Sequence, residues 1–574
     1  MKQFIERSYG ESELQGRGDL HPVISRVLAS RGISSLDQMD YQLGKILSPV
    51  SIRNVSEAAE LLANCIQAEE QVVIFGDYDA DGATSTALCV RALNLMSHDK
   101  VDYLMPDRFL DGYGLSLSAA ERILQSKPDC VITVDNGIAS FDGIRLLRQH
   151  NIEVVVTDHH LPASELPDAS VIVNQNAWGE PLEGRNLAGV GIAFYLMLML
   201  RTELRKRGWF NDQRQEPNLA ACLDLVAIGS VADLVPLDYL NRILVQEGLR
   251  RIRAGACSLG IRSLIEISGK DLDNFSSTDI AFALAPRINA AGRLDDMTIG
   301  VQCLLANDTN SANSFATELD NINQLRKDIQ QQMADEAMQA LKQLDQQELS
   351  NQKAIVLYQP DWHEGIVGIV ASKLKEKFHR PSIVFGQAED GSLKGSGRSI
   401  TGIHLRDMLD IVDKRIPGKI LKFGGHAMAA GLSLKDVCFE DFKPCFEQVI
   451  NEFADPECFT DNIEHDGELV AELFNLEFAA ELQNLSPWGQ GFPMPSFVGD
   501  FEVLSQRVLA GKHIKLTLSP DDNPDQTVVD AIAFFQPASV LNQDYDRIRI
   551  HYEVNLNRFR GVDSVQLLIR DIIL

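Results

Sequence analysis

No two of the nine cysteines form a CxxC pair, and their number is odd. That argues against a disulfide framework or a zinc ribbon and suits a reducing cytoplasm. The N-terminal MKQFIERSYGESELQ has no apolar signal core, and no apolar run is long enough to span a bilayer. The longest, Gly189 to Leu200, leads into Arg201 and the basic Arg205-Lys206-Arg207. It reads as a buried helix, so no membrane association is expected. Positive charge is scarce: 53 Lys and Arg stand against 81 Asp and Glu, a net charge of −28. The chain as a whole does not attract nucleic acid or anionic membrane, and a nucleic-acid substrate needs a local basic groove. The rest, 45% hydrophobic and 23% charged over 574 residues, suits a soluble globular protein of about three or four domains.

The chain is organised around one acidic stretch. Val72-Val73-Ile74-Phe75 reads as a short buried strand, and it runs into Gly76-Asp77-Tyr78-Asp79-Ala80-Asp81-Gly82. A helical pattern follows from Ala83 to about Met96. Three carboxylates at alternate positions repel one another unless a cation sits among them, and a divalent metal suits such hard oxygen donors. DxDxDG matches the first half of an EF-hand loop, but the twelfth position is Leu88 and a strand precedes the loop. An acidic surface turn is the bland alternative. Two further strands weigh against it: Cys130 to Val134 ends in Asp135, and Glu153 to Thr157 ends in Asp158-His159-His160. In a parallel sheet these ends share one edge, so their side chains converge on a metal site. Asp233, after an apolar segment, is a further carboxylate for that site.

Five regions are expected: a helical N-terminal segment (1–48), a parallel-sheet α/β domain (49–306), a connecting helix (307–348), a smaller α/β domain (349–462) and an OB-like β-barrel (463–574). In the first α/β domain Arg108 lies by a Gly-Tyr-Gly loop, where a phosphate contact and a plain surface arginine weigh equally. Gly189-Val190-Gly191 has no P-loop lysine and reads as tight packing. Ala285 to Arg293 reads as a small-residue loop whose Arg287, Asn289 and Arg293 can approach phosphate closely. The connecting helix carries an apolar stripe at Leu319, Ile322, Leu325, Ile329, Met333, Leu341 and Leu344, narrow enough to bridge two domains; a coiled-coil dimer is the alternative. In the second α/β domain, Lys394 to Ser399 and Gly424-Gly425-His426 read as glycine-rich loops, with Arg398, Ser399 and His426 suited to phosphodiester contact. Five strand candidates, Phe501–Val508, Ile514–Leu518, Val528–Phe535, Ile548–Leu556 and Ser564–Ile569, make up a small barrel. Such a barrel either binds single strands or merely packs on the rest. Arg507, Lys512, His513 and Lys515 lend it local positive charge.

FGDYDADG, VDNG, TDHH and SVADLVP resemble the four signature motifs of the DHH phosphoesterase superfamily. APRINAAGR, WHEGIVGIVASKL, GSGRS and FGGHAMAAG resemble its RecJ branch, which carries a DHHA1 domain; the match runs in order from about 50 to 570. The resemblance implies two Mn²⁺ or Mg²⁺ ions held by Asp79, Asp81, Asp135, His159 and Asp233, with Asp135 bridging. It implies a catalytic or orienting role for His160, and makes Asp158 the group that fixes the histidines. Asp77 joins the catalytic set; pyrophosphatases of the superfamily have a histidine at the place of Phe75, so that either Asp77 compensates or one metal has fewer protein ligands and more water. Arg287, Asn289, Arg398, Ser399 and His426 are implied contacts to the DNA backbone, and Arg108 to a 5′-phosphate. The loop with Trp488 and Phe492 departs from relatives, which more often have Phe and Asn there. The implied activity is single-stranded-DNA-specific 5′→3′ exonuclease action releasing 5′-mononucleotides, in recombination and repair. Rival readings are a phosphoesterase acting on short oligonucleotides or cyclic dinucleotides, and a non-catalytic single-strand scaffold. The resemblance also suggests a single-strand binding protein and a RecQ-type helicase as partners; the cysteine usage points to the cytoplasm, and nothing in the sequence requires more than a monomer.

Overall fold

The three ligand-bearing segments are strands of one parallel sheet in the computed structural model. The structure describes residues 2–10, 14, 20–108, 110–342, 352–388, 391–521, 526–559 and 562–573. By packing, the chain divides into two units: Glu6–Asp320 with Glu464–Leu574, and Met1–Ile5 with Asn321–Ile463. The division falls within the helix Thr309–Lys342.

In the larger unit the sheet order is Val101–Leu104, Val72–Phe75, Cys130–Val134, Glu153–Thr157, Val171–Val173, all parallel. Period-two alternation sends Val72, Ile74, Ile132 and Val155 into one core and Val73, Phe75, Val131 and Val154 into another. Both faces are therefore covered, which is why these strands read as unbroken apolar runs. From Val72–Phe75 the chain first moves outward to Val101–Leu104, then returns to the other side at Cys130–Val134. The strand order thus reverses between Phe75 and Val134, and ligand sites in such sheets lie in the crevice at that point. Asn136 ties the two strand ends together, donating to the carbonyls of Phe75, Gly76 and Val134 at 3.3, 2.9 and 2.9 Å. The apolar run forms the buried helix Gly189–Lys206; among the described residues no helix is long and apolar enough to cross a membrane.

Residues expected as a phosphate-binding loop form the helix Ala285–Leu294, preceded by a π-helical turn, Ile280–Leu284. Pro286 sits in the first turn, where its missing N–H is harmless. The small residues serve close packing: a Cβ on Gly292 would overlap the Tyr78 carbonyl. The C-terminal strands Phe497–Leu509, His513–Pro520, Val529–Ala533, Arg547–Phe559 and Val562–Ile573 close into a barrel. Its third and fifth strands are parallel, and a short helix, Ala538–Leu541, links the third and fourth. That is OB topology. Barrel residues Phe501 and Tyr552 share one continuous core with the parallel-sheet domain. Trp488 stacks on Phe492 within it at 5.0 Å, with Arg31 and Arg242 over their rings.

The smaller unit has its own core around Phe385, Phe442 and Phe446. Its sheet runs Ile420–Gly425, Ala429–Lys435, Ser392–Arg398, Ser382–Gln387, Ile355–Tyr358. Lys394 to Arg398, expected as a loop, is therefore strand. The glycines there admit neighbours: a Cβ on Gly395 would collide with the Phe385 ring. Along Thr309–Lys342, Leu319, Ile322, Met333 and Leu341 are buried as the stripe predicts, but Leu325 is 55% exposed; Leu344 lies outside the described residues. Lys2–Glu6, within the segment expected to be helical, is a strand paired with Asp461–His465.

Candidate metal centre

Each acidic side chain at the sheet edge is aimed by a backbone device. Asp79 caps the helix Ala80–Leu95, its Oδ1 accepting from the Asp81 and Gly82 amides, both at 3.0 Å. Asn289, on the helix Ala285–Leu294, accepts from the Ala80 amide at 2.7 Å and pins the same turn. The Asp81 carboxylate accepts from Gly189 at 2.7 Å and Val190 at 3.0 Å, the first amides of the buried helix Gly189–Lys206. A helix N-terminus is suited to holding a carboxylate. Gly189 therefore does more than pack: a Cβ there would stand 2.5 Å from Asp135 Cβ. Asp135 itself adopts φ 62°, in the left-handed region.

Asp158 organises the histidine pair. It accepts from the amides of Ile138, His159 and His160, and from His160 Nδ1 at 2.8 Å. Burial opposes its charge, but the hydrogen bond and charge of His160 outweigh that and hold the carboxyl below its ordinary range. Burial likewise works against a charged His160, yet Asp158 lifts the ring to about 9. His159 is the opposite case: burial, then the charge of His160, push it down to about 4. It is thus a neutral imidazole, the form that ligates a metal. Its Nε2 lies 3.1 Å from Asp135 Oδ1 and 3.5 Å from Asp233 Oδ2.

Three overlapping donor groups result: Asp77, Asp79 and Asp135; Asp135, His159 and His160; Asp81, His159 and Asp233. Within each group the donor atoms lie within 4.8 Å of one another. Asp135 and His159 each belong to two of them. Burial and mutual repulsion raise the carboxyls of Asp77 and Asp135 well above their ordinary range. The same causes bring Asp81 to about 7 and Asp233 to about 9. Among the described residues, Asp77 Oδ1, Asp135 Oδ1 and His159 Nε2 are buried without a hydrogen bond. Orphaned oxygen and imidazole donors of this kind fit divalent cations such as Mn²⁺ or Mg²⁺.

The remaining residues singled out in the sequence are placed differently. The Arg108 guanidinium lies over the Tyr78 ring at 4.7 Å. Arg287 pairs with Asp320 at 2.8 Å and donates to the Ala283 carbonyl. Arg293 is on the same helix, near enough to Tyr78 to act on its phenol electrostatically. In the smaller unit, Arg398 donates to Ser396 Oγ and the Gly397 carbonyl. Ser399 is buried and donates to the Ile403 carbonyl. The His426 amide closes a turn onto the Ala429 carbonyl. Sequence reasoning missed Tyr113, whose hydroxyl lies 3.1 Å from His160 Nδ1 and 3.2 Å from its Nε2. It also missed Asn174 and Asn176, which donate to the carbonyls of His160 and His159. Their signal was only a short polar run after an apolar strand, which is indistinguishable from a turn.

Comparison with known proteins follows the same layout. Family models match for the DHH family N-terminal domain at 71–230, the DHHA1 domain at 351–455 and the RecJ OB domain at 465–571. The chain is 44% identical to the single-stranded-DNA-specific exonuclease RecJ of Haemophilus influenzae, over 99% of both chains. It is 44% identical to that of Escherichia coli, over 96% of both, and 34% identical to that of Bacillus subtilis, over 96% of this chain and 68% of the relative. The crystal structure of RecJ from Thermus thermophilus in complex with Mn²⁺ superimposes with a TM-score of 0.80 at 29% identity, covering 97% of this chain and 76% of that one. With three domain models matched in order and this identity along its length, the chain belongs to the RecJ family of DHH-domain proteins.

Proposed function

We propose that the chain is a metal-dependent exonuclease that degrades single-stranded DNA from its 5′ end and releases 5′-mononucleotides. The observation that carries this reading is the meeting of Asp77, Asp79, Asp81, Asp135, His159 and Asp233 at one sheet edge, with three buried donor atoms left unbonded. Likeness to relatives named as single-stranded-DNA-specific exonucleases supports it. Two divalent cations, Mn²⁺ or Mg²⁺, supply when bound the Lewis acidity that neutralises phosphate charge and activates water. The six residues above would hold them, Asp135 as a shared ligand and the neutral His159 through Nε2. His160 donates Nδ1–H to Asp158, so its Nε2–H is the proton offered to the departing 3′ oxygen. Asp158 keeps that ring charged and oriented.

Arg108, braced on Tyr78, receives the terminal 5′-phosphate, and Arg287 and Arg293 the phosphates that follow. Asn289 acts as a positioning residue through Ala80. Arg398 and His426 are contacts to the DNA backbone, and Ser399, whose hydroxyl and amide donate to the Ile403 and Met428 carbonyls, positions the turn beside them. In the same reading the enzyme is a cytoplasmic monomer that works in recombination and repair beside a single-strand binding protein and a RecQ-type helicase.

The test is a Mn²⁺ and Mg²⁺ titration with single- and double-stranded DNA, labelled at either end and with either end blocked in turn. Mononucleotides should appear only from single strands with an open 5′ end, and only with metal. Asp135→Asn should abolish release while strand binding persists. Release that survives 5′ blocking, or equal turnover of a dinucleotide, would defeat the reading.

A further inference from the structure

Tyr113 reaches the metal centre from a loop, outside the strands that carry the donor residues. Its hydroxyl lies 3.1 Å from His160 Nδ1 and 3.2 Å from His160 Nε2, and it donates to the Asp135 carbonyl at 3.4 Å. Its ring stands edge-on to the His160 ring at 5.6 Å and to the Tyr78 ring at 6.3 Å. Tyr78 in turn carries the Arg108 guanidinium over its face. Burial of apolar surface does not explain the placement, since Tyr113 is 49% exposed. The backbone is shaped to make it. Gly112 and Gly114, on either side, have φ 74° and 75°, where a side chain would be strained. A Cβ on Gly114 would also stand 2.8 Å from Ser140 Oγ, which accepts from the Leu115 amide and fixes the loop.

What the hydroxyl does there follows from the bonds around it. His160 Nδ1–H is committed to Asp158 at 2.8 Å. One hydrogen bond fixes a point of the imidazole but not its tilt, and a second polar contact off that line fixes the plane. Tyr113 supplies the second contact. Its proton goes to the Asp135 carbonyl, so the oxygen turns its lone pairs to the ring. Nearly equal distances to the two ring nitrogens put that oxygen at the Nδ1–Cε1–Nε2 side, in line with neither N–H. The Nε2 proton therefore stays available. Among the described residues, Tyr113 is the only side chain within hydrogen-bonding distance of Nε2.

We infer that Tyr113 is a positioning residue for His160, its hydroxyl fixing the tilt of the ring so that Nε2–H faces the departing 3′ oxygen. This rests on the exonuclease reading and deepens it. As the bond between phosphorus and the 3′ oxygen breaks, its electron pair stays on that oxygen, which takes the Nε2 proton. Water supplies the new oxygen on phosphorus. Tyr113 neither gives nor takes a proton in the step.

The test uses the full-length protein with Mn²⁺ and a single strand whose first linkage carries either the natural 3′ oxygen or a 3′ sulfur. A thiolate leaves without needing a proton, so a positioned acid gains nothing on the sulfur strand. Tyr113→Phe should lower kcat on the oxygen strand about 10–100-fold, the usual cost of losing a group that orients another. KM, the thermal midpoint and the calorimetric affinity for Mn²⁺ should stay as in wild type. On the sulfur strand the variant should match wild type. His160→Ala should show the same contrast between strands, and adding Tyr113→Phe to it should cost nothing more, as expected of two residues that act through one ring. An unchanged kcat, equal losses on both strands, a further loss in the His160→Ala background, or a fall in Mn²⁺ affinity large enough to account for the rate would each overturn the assignment. Failure of the wild-type protein to release nucleotides from the oxygen strand would instead overturn the exonuclease reading, and this inference with it.

Discussion

At the scale of single residues, the metal centre is a problem in placing like charges. Asp77, Asp81, Asp135 and Asp233 are all held above their ordinary ionisation range by burial and by neighbouring carboxylates, Asp79 among them in every case. Backbone amides relieve only part of this, as at Asp81, which takes two from Gly189 and Val190. The close approach of that helix to Asp135 requires glycine. Gly189→Ala places a methyl group against Asp135 Cβ, with no flexible side chain to yield. It should destabilise the protein by about 1–3 kcal/mol, as overpacking does. It should also weaken Mn²⁺ binding by moving both carboxylates. Thermal melts and calorimetric metal titration check the two effects together.

At the scale of elements, what matters is which piece of chain reaches the acidic loop. The helix Ala285–Leu294 does so through Asn289, whose side-chain oxygen takes the Ala80 amide. Gly292, packed against the Tyr78 carbonyl, sets the distance. Asn289→Ala should leave a folded protein whose metal affinity or turnover falls about 10–100-fold, the usual cost of losing a group that orients ligands. Titrating activity against Mn²⁺ concentration separates the two: excess metal should rescue a loss of affinity and not a loss of turnover. The same region marks where sequence reading went astray. Pro286, Asn289 and Gly292 make the run look like a loop when helix propensity is weighed locally. In the structure they are helical, because small residues let this helix press against the turn that holds Asp79.

At the scale of the whole molecule, the described residues form separate cores: two on the faces of the parallel sheet, one of them shared with the barrel, and another in the smaller unit. Calorimetry should show two transitions, with only that of the larger unit responding to Mn²⁺. The pH dependence of that response has a definite sign. Asp81 and Asp233 titrate at about 7 and about 9 in the folded, metal-free protein, against about 3.9 when unfolded. Raised folded values contribute stability that is complete below the unfolded value and lost as pH climbs through the folded ones. With chelator, the midpoint of the larger unit should therefore fall between about pH 4 and about pH 9. With saturating Mn²⁺ the fall should shrink, and the stabilisation by metal should grow with pH. A flat chelator profile would mean that these carboxyls are not held neutral by their surroundings.

Local chemistry was legible without coordinates. Val72 to Phe75, Cys130 to Val134 and Glu153 to Thr157 could be read as buried strands because β-branched runs bounded by polar turns leave few alternatives. Each ends beside a carboxylate, so the acidic edge followed from chain order alone. The five strands of the barrel were visible for the same reason, although their lengths were not. Only tertiary structure decided which groups complete the site. The amides of Gly189 and Val190, the side chain of Asn289 and the hydroxyl of Tyr113 come from positions distant in sequence, and their residue types are common in turns and helix starts. Nor could periodicity reveal that Phe282 and Leu234 face solvent, since an apolar residue is ordinarily read as core. Sequence determines the elements because propensity and pattern act within a few residues. Fold decides the partners, because hydrogen bonds and charge act across space and are indifferent to distance along the chain.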